Sequence, residues 1–150
     1  MKAILQRVTS SKVSINNKII GQIGQGFNIL LGIGQDDNEA LVPKFAEKIV
    51  NLRVFSDEAG KMNKSILDIK GEILLISQFT LYADTKGGRR PSFVNAAPPE
   101  LARELYQKFV DALKKSGLKV ETGSFGNYME IESVVDGPVT ILIEESAAKD

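Results

Sequence analysis

The period of the hydrophobic pattern changes several times along the chain, and each change marks an element. Ile4, Gln6 and Val8 alternate with Leu5 and Arg7, the two-residue period of a strand. Val13-Ser14-Ile15 runs into Asn16-Asn17, a pair suited to a tight hairpin turn, and Lys18 to Ile23 supplies the return strand. Gly24-Gln25-Gly26 turns the chain again into a third strand over Phe27 to Ile33, so this part predicts an antiparallel meander. Leu41, Phe45, Ile49 and Leu52 then fall on one face of a helix that packs on the sheet, with Asp36, Asp37 or Asn38 as its cap.

Glu72 to Leu81 opens as a continuous apolar run and ends polar, the pattern of a central strand buried on both faces. Alternation along it would put Ser77 and Phe79 on one side, and Gln78 and Thr80 on the other. Ala83 to Ala97 has no periodicity and carries Gly87-Gly88, Arg89-Arg90 and Pro91, which reads as a long loop of the kind that carries function. Pro98-Pro99-Glu100 opens a second helix with Leu101, Leu105, Phe109 and Leu113 inward and Gly117 as its stop. Strands over Lys119-Val120, Met129 to Val135 and Val139 to Ile143 complete a single α+β domain spanning 1–150, with a mainly antiparallel, barrel-like sheet and two packed helices.

Composition narrows the chemistry. The chain has no Cys and no His, which excludes a disulfide frame, a thiolate nucleophile and every mechanism that needs an imidazole base. Nineteen basic and nineteen acidic residues cancel, so a broad polyanion-binding surface is not expected, while a local basic site is allowed. No apolar run approaches the length of a membrane span, and Arg7 follows the start too closely for a secretory leader, so the expected location is the cytoplasm.

Several motifs have plain readings. Gly21 to Gly26 has neither dinucleotide nor phosphate-loop spacing, and Gln35 to Glu39 lacks the ligand pattern of a calcium loop. Ser77-Gln78-Phe79-Thr80 is either a simple strand terminus or a set of hydroxyl, amide and aromatic groups at a site, with backbone N–H donors beside them. Asp136-Gly137-Pro138 is a turn by default, or a segment whose glycine lets two carbonyls approach a ligand. Lys86, Arg89 and Arg90, set among glycines, are either solvated surface or contacts to the phosphates of an irregular phosphodiester.

Together, Arg7-Val8, Gly60-Lys61-Met62-Asn63, Ser77-Gln78-Phe79-Thr80-Leu81, Arg90-Pro91-Ser92-Phe93 and Asp136-Gly137-Pro138-Val139-Thr140 closely resemble the D-aminoacyl-tRNA deacylases over essentially the whole chain. The resemblance implies hydrolysis of the ester between a D-amino acid, or glycine, and the 3′ adenosine of tRNA, by a homodimer with its pockets at the interface and with no metal or cofactor. It implies catalysis assisted by the 2′-hydroxyl of that adenosine, with Ser77, Gln78, Phe79 and Thr80 forming the catalytic strand end and backbone groups meeting the oxyanion. Thr80 is the natural nucleophile by its hydroxyl, yet nothing in the motif would activate it. Gly137-Pro138 would be cis and reach into the partner's pocket to exclude L side chains, Arg7 would brace it, and Phe125 and Met129 would wall the substrate. The family usually carries Asn where this chain has Val135, which puts the local bracing in doubt.

Three other readings compete. An archaeal synthetase editing module shares the implied fold but not the paired motifs, and an animal deacylase with a trans Gly-Pro differs in peptide geometry. A non-catalytic nucleic-acid-binding or dimeric scaffold protein would be favoured by a basic tail, and Glu144 to Asp150 is not basic.

Overall fold

The structure is a computed structural model that describes residues 1–147. Strand β1 (Lys2–Ile15) turns at Asn16-Asn17, both with positive φ, into β2 (Lys18–Ile23), and β3 (Gly26–Gly32) returns along the first half of β1. Helix α1 (Leu41–Val50) and a small hairpin of β4 (Phe55–Ser56) and β5 (Met62–Lys64) lead to β6 (Glu72–Ser77). Helix α2 (Pro99–Lys114), β7 (Lys119–Thr122) and the long β8 (Glu130–Glu144) follow. The main sheet runs β2-β1-β3-β6-β7, with β8 on the free side of β1. Its β1 pairings are antiparallel, and those of β6 with β3 and β7 are parallel, so the sheet is mixed.

The apolar run of β6 does what a two-sided core requires. Ile73 and Leu75 join the larger cluster beneath α1 and α2, where Phe45 and Phe109 meet edge to face with centroids 5.7 Å apart. Leu74 and Ile76 point the other way, into a smaller cluster made by Val8, Val13 and Ile23. The sheet thus curls over its own second face. Gly21 permits this, because a Cβ there would stand 2.8 Å from the Thr122 carbonyl oxygen on β7.

Four sequence-based expectations change. The first helix has no side-chain cap, since Asn38 makes its own local turn with the Ala40 N–H, while Asp37 is turned inward to accept from the Gly34 N–H at 2.6 Å and from the Met1 amine at 2.6 Å. The helix ends at Val50, short of Leu52. The strand from Glu72 stops at Ser77, so alternation no longer governs Phe79 and Thr80, which enter a 3₁₀ turn over Phe79–Tyr82. The segments on either side of Asp136 are one strand, not two, because both pair with β1.

Gly26 tests how tightly β3 meets β6. A Cβ on it would lie 1.8 Å from the Glu72 carbonyl oxygen, an overlap that only backbone movement relieves, whereas Gly87 has nothing within 4 Å. Gly26→Ala is expected to cost about 3 kcal/mol or more, and Gly87→Ala less than about 0.5 kcal/mol, read from urea unfolding midpoints.

Candidate active site

The site begins where β6 runs out. Gln78 makes the last ladder bond, its N–H donating to the Leu31 carbonyl at 2.8 Å, and the chain then tightens into the 3₁₀ turn. Two glycines on the end of β3 make room for that turn. A Cβ at Gly32 would approach Leu81 Cβ and the Gln78 carbonyl to 3.0 Å, and one at Gly34 would enter the Tyr82 ring at 2.7 Å. The Tyr82 hydroxyl donates to Asp37 Oδ2 at 3.3 Å, and burial, followed by the Asp37 charge, holds that phenol well above its usual range and so protonated. The N–H groups of Phe79 and Thr80 open the turn and have no partner inside it. The Thr80 hydroxyl accepts a hydrogen bond from Gln78 Nε2.

Ser77, Gln78 and Phe79 line a cleft of about 590 Å³ together with Phe93, Phe125 and Met129, among others. Thr80 is not among the lining residues, which separates its hydroxyl from the cleft it borders in sequence. Phe93 meets Phe79 edge to face at 5.0 Å, and Phe125 packs at 5.9 Å from Tyr106, whose hydroxyl donates to the Leu75 carbonyl at 2.7 Å. Met129 Sδ accepts from the Ser124 N–H at 3.2 Å and occupies space that a side chain on Gly123 would need. None of the described residues lining the cleft is Asp, Glu, Lys or Arg.

Gly137 and Pro138 stand elsewhere. Gln6 pairs with Thr140 and Val8 with Val135, so Asp136 to Val139 bulge out of β8 opposite Arg7 alone. The Gly137-Pro138 peptide is cis and both residues are exposed. Arg7 holds the base of the bulge: Nε donates to the Asp136 carbonyl at 3.2 Å and lies 3.3 Å from Asp136 Oδ2, while Nη1 donates to the Val54 carbonyl at 2.8 Å. Val135 lies in the ladder, so the bracing falls to Arg7. Strand register keeps this bulge from the cleft of the same chain. Arg7 is level with Phe27 and Ile73, four residues short of Ser77, and on β8 itself Ile131 lines the cleft while Gly137 lies six residues further along the strand, ~20 Å away.

The D-Tyr-tRNA(Tyr) deacylase family profile matches residues 4–144. This chain belongs to that family. The D-aminoacyl-tRNA deacylases of Thermosipho africanus and Aquifex aeolicus are each 54% identical to it over 144 residues, covering 96% of this chain and 97% of theirs. A solved structure described as a c-Myc DNA unwinding element binding protein superposes with a TM-score of 0.91 at 42% identity, covering 98% of this chain and all of that one. A probable eukaryotic D-amino acid tRNA deacylase shares the fold, with a TM-score of 0.83 at 17% identity over 95% of this chain and 97% of that one. Membership makes the chain an enzyme, a hydrolase of the deacylase class.

Within this deacylase the basic loop is less free than its composition implies. Asp84 and Ser92 exchange two backbone hydrogen bonds of 2.8 Å, and Gly34 bridges Ala96, so only the tip holding Lys86, Arg89 and Arg90 projects into solvent. Sequence reasoning missed Phe93, Tyr106 and the Tyr82–Asp37 contact as parts of the site. Phe93 lay inside a quoted motif, but nothing local distinguishes an aromatic that pins a loop, and Tyr106 sits on the same helical face as ordinary core residues.

Arg7 and Gly137 have separable tests. Arg7→Ala leaves the Val54 carbonyl and Asp136 without their donor, so it is expected to cost about 1–3 kcal/mol in chemical unfolding and to lower turnover. Arg7→Lys keeps the charge but not the fork and is expected to recover stability better than turnover. Gly137 has φ +128°, and a Cβ there would lie 2.8 Å from the Val139 side chain, so Gly137→Ala is expected to reduce turnover at least tenfold while far-UV circular dichroism stays native.

Proposed function

We propose that this deacylase hydrolyses the ester joining a D-amino acid, or glycine, to the 3′ adenosine of tRNA, with the substrate's own 2′-hydroxyl in place of a protein base. The observation that carries this reading is the cleft without an Asp, Glu, Lys or Arg side chain, in a chain without His or Cys. Water adds to the ester carbonyl, the 2′-hydroxyl relays its proton to the departing 3′ oxygen, and backbone N–H donors where Phe79 lines the cleft meet the developing oxyanion. Free amino acid and tRNA leave. Engagement of the Thr80 hydroxyl by Gln78, and the absence of Thr80 from the cleft lining, count against a nucleophilic role for it.

The working unit in this reading is a homodimer. Strand β8 is fifteen residues long, pairs among the described residues only with β1, and exposes Val134 and Leu142 to 58% and 60%, an apolar edge of the kind that stable monomers avoid. A second copy covering it would bring the partner's Gly137-Pro138 bulge to a cleft that its own chain's register keeps it from. Carbonyls of that bulge would stand where an L side chain must go, so discrimination works by exclusion and leaves glycine acceptable. Phe125 and Met129 wall the adenosine and aminoacyl groups, and Lys86, Arg89 and Arg90 contact acceptor-stem phosphates.

A second reading, nucleic-acid binding without catalysis, is favoured by the description of the 42%-identical solved structure as a DNA unwinding element binding protein. Its discriminating feature, the tail, falls partly outside the described residues at Ala148–Asp150.

Steady-state turnover separates the two. The wild-type protein is expected to deacylate D-tyrosyl-tRNA and glycyl-tRNA but not L-tyrosyl-tRNA. Thr80→Ala is expected to stay within about tenfold of wild type, whereas a substrate ending in 2′-deoxyadenosine is expected to lose about 10²–10⁴-fold, the usual contribution of a positioned proton-transfer group. A covalent acyl group trapped on Thr80 would overturn the mechanism, and the absence of turnover on any D-aminoacyl ester would favour the binding reading. Arg89→Gln with Arg90→Gln is expected to lower the slope of log affinity for tRNA against log salt by about 1–2.

A further inference from the structure

The cleft does not end at Phe125. That residue and Pro99 also line a second, open groove of about 1030 Å³ between α2 and the Thr122 to Phe125 segment, so the two depressions share a wall. At the shared wall, Arg103 lies with its guanidinium carbon 4.9 Å from the centre of the Phe125 ring. Helical spacing sets this up: Pro99, Arg103, Tyr106 and Val110 follow one face of α2, and Tyr106 and Val110 bury it against the body of the molecule. Arg103 itself is exposed, and among the described residues it forms no ion pair.

Most of the groove's other charges are already engaged. Lys108 is held by Glu39 and, at 2.8 Å, by Glu104, and Asp111 accepts from Gln107 Nε2 at 3.1 Å. Glu100 lies in the first turn of α2, where the helix dipole favours a negative charge. Lys114 lines the groove at the far end of α2, about three turns from the shared wall, so what is left to meet a ligand at that wall is a planar cation lying against an aromatic ring. That combination suits a nucleotide in single-stranded RNA, because a guanidinium plane stacks against a base and its free N–H groups reach a phosphate. The terminal adenosine of the substrate fills the first cleft in the reading above, and a polymer must leave that cleft over one of its walls.

We propose that the groove beside Arg103 is a subsite for the nucleotide that precedes the terminal adenosine, with Arg103 holding its phosphate and stacking on its base. The proposal rests on the deacylase reading for the occupant of the first cleft. It assigns to the protein a grip on the RNA strand next to the reacting ester, separate from the loop tip at Lys86 to Arg90. Such a grip would align the adenosine ribose, whose 2′-hydroxyl is asked to do the chemistry.

Two short substrates test it, D-tyrosyl-adenosine and D-tyrosyl-CpA, which differ only by the added cytidylate. For the wild-type protein the added nucleotide is expected to lower KM about tenfold. In Arg103→Gln that gain should fall to about twofold, and Arg103→Lys, which keeps the charge without the plane, should lie between them. Equal KM values for the two substrates with the wild-type protein would overturn the proposal, as would a full gain retained in Arg103→Gln. Calorimetric titration of wild type with CpA and with adenosine reads the same gain without turnover. Tighter CpA binding in a protein with no esterase activity would sink the deacylase reading and leave the subsite, whereas active protein with equal binding of the two would sink the subsite alone.

Discussion

Strand β6 has to be dry on both sides, and much of the architecture answers that one demand. Ile73 and Leu75 need the helices, while Leu74 and Ile76 need something on the opposite face, which a sheet with helices on one side only does not provide. The chain supplies it by curling β1 and β2 over that face, so that Val8, Val13 and Ile23 become the missing layer. Parallel neighbours on both sides of β6 require crossovers, and the helices that make those crossovers are the ones that cover its first face. A strand sealed this way can show polar groups only at its end. The cleft lies there, with backbone donors left over from a turn seated on Gly32 and Gly34.

Register is the second constraint. The pairing of β1 with both β3 and β8 ties the bulge at Gly137 to the level of Arg7, well away from Ser77. No side-chain rotation removes such a separation, because each one-residue slip of a strand would invert its buried and exposed faces. In the proposed dimer a second copy would complete the site without altering that geometry. The exposed apolar edge of β8 belongs to the same logic.

In the proposed reaction the cleft positions a substrate and does not titrate with it. Phe79, Phe93, Phe125 and Met129 give the cleft an apolar lining, and the nearby Tyr106 phenol is pushed above its usual range by burial and donates a hydrogen bond to the Leu75 carbonyl. Fixed N–H dipoles in such surroundings act more strongly than they do in water and need no reorganisation during the reaction. A protein lacking His and Cys loses little by that strategy, provided that the substrate brings its own hydroxyl.

The sequence by itself determined the elements whose signal is local. The Asn16-Asn17 hairpin, the two amphipathic helices, the glycine stop at Gly117 and the dry run of β6 follow from period, turn chemistry and propensity within a few residues. It also determined what the enzyme does without, and its motifs were enough to place the chain in its family. Only the tertiary structure decided the rest, because the deciding contacts join residues far apart in the chain. Asp37 reads as a helix cap until Gly34, Met1 and Tyr82 claim it. Phe79 reads as the next strand position until the glycines of β3 allow the chain to tighten beneath it. Asp136-Gly137-Pro138 reads as a turn until both flanks pair with the same strand, and nothing local to Arg103 shows that the chain beyond β7 brings Phe125 beneath it. Each outcome depends on a neighbour that a local pattern cannot contain, since packing and register are settled between elements and not within them.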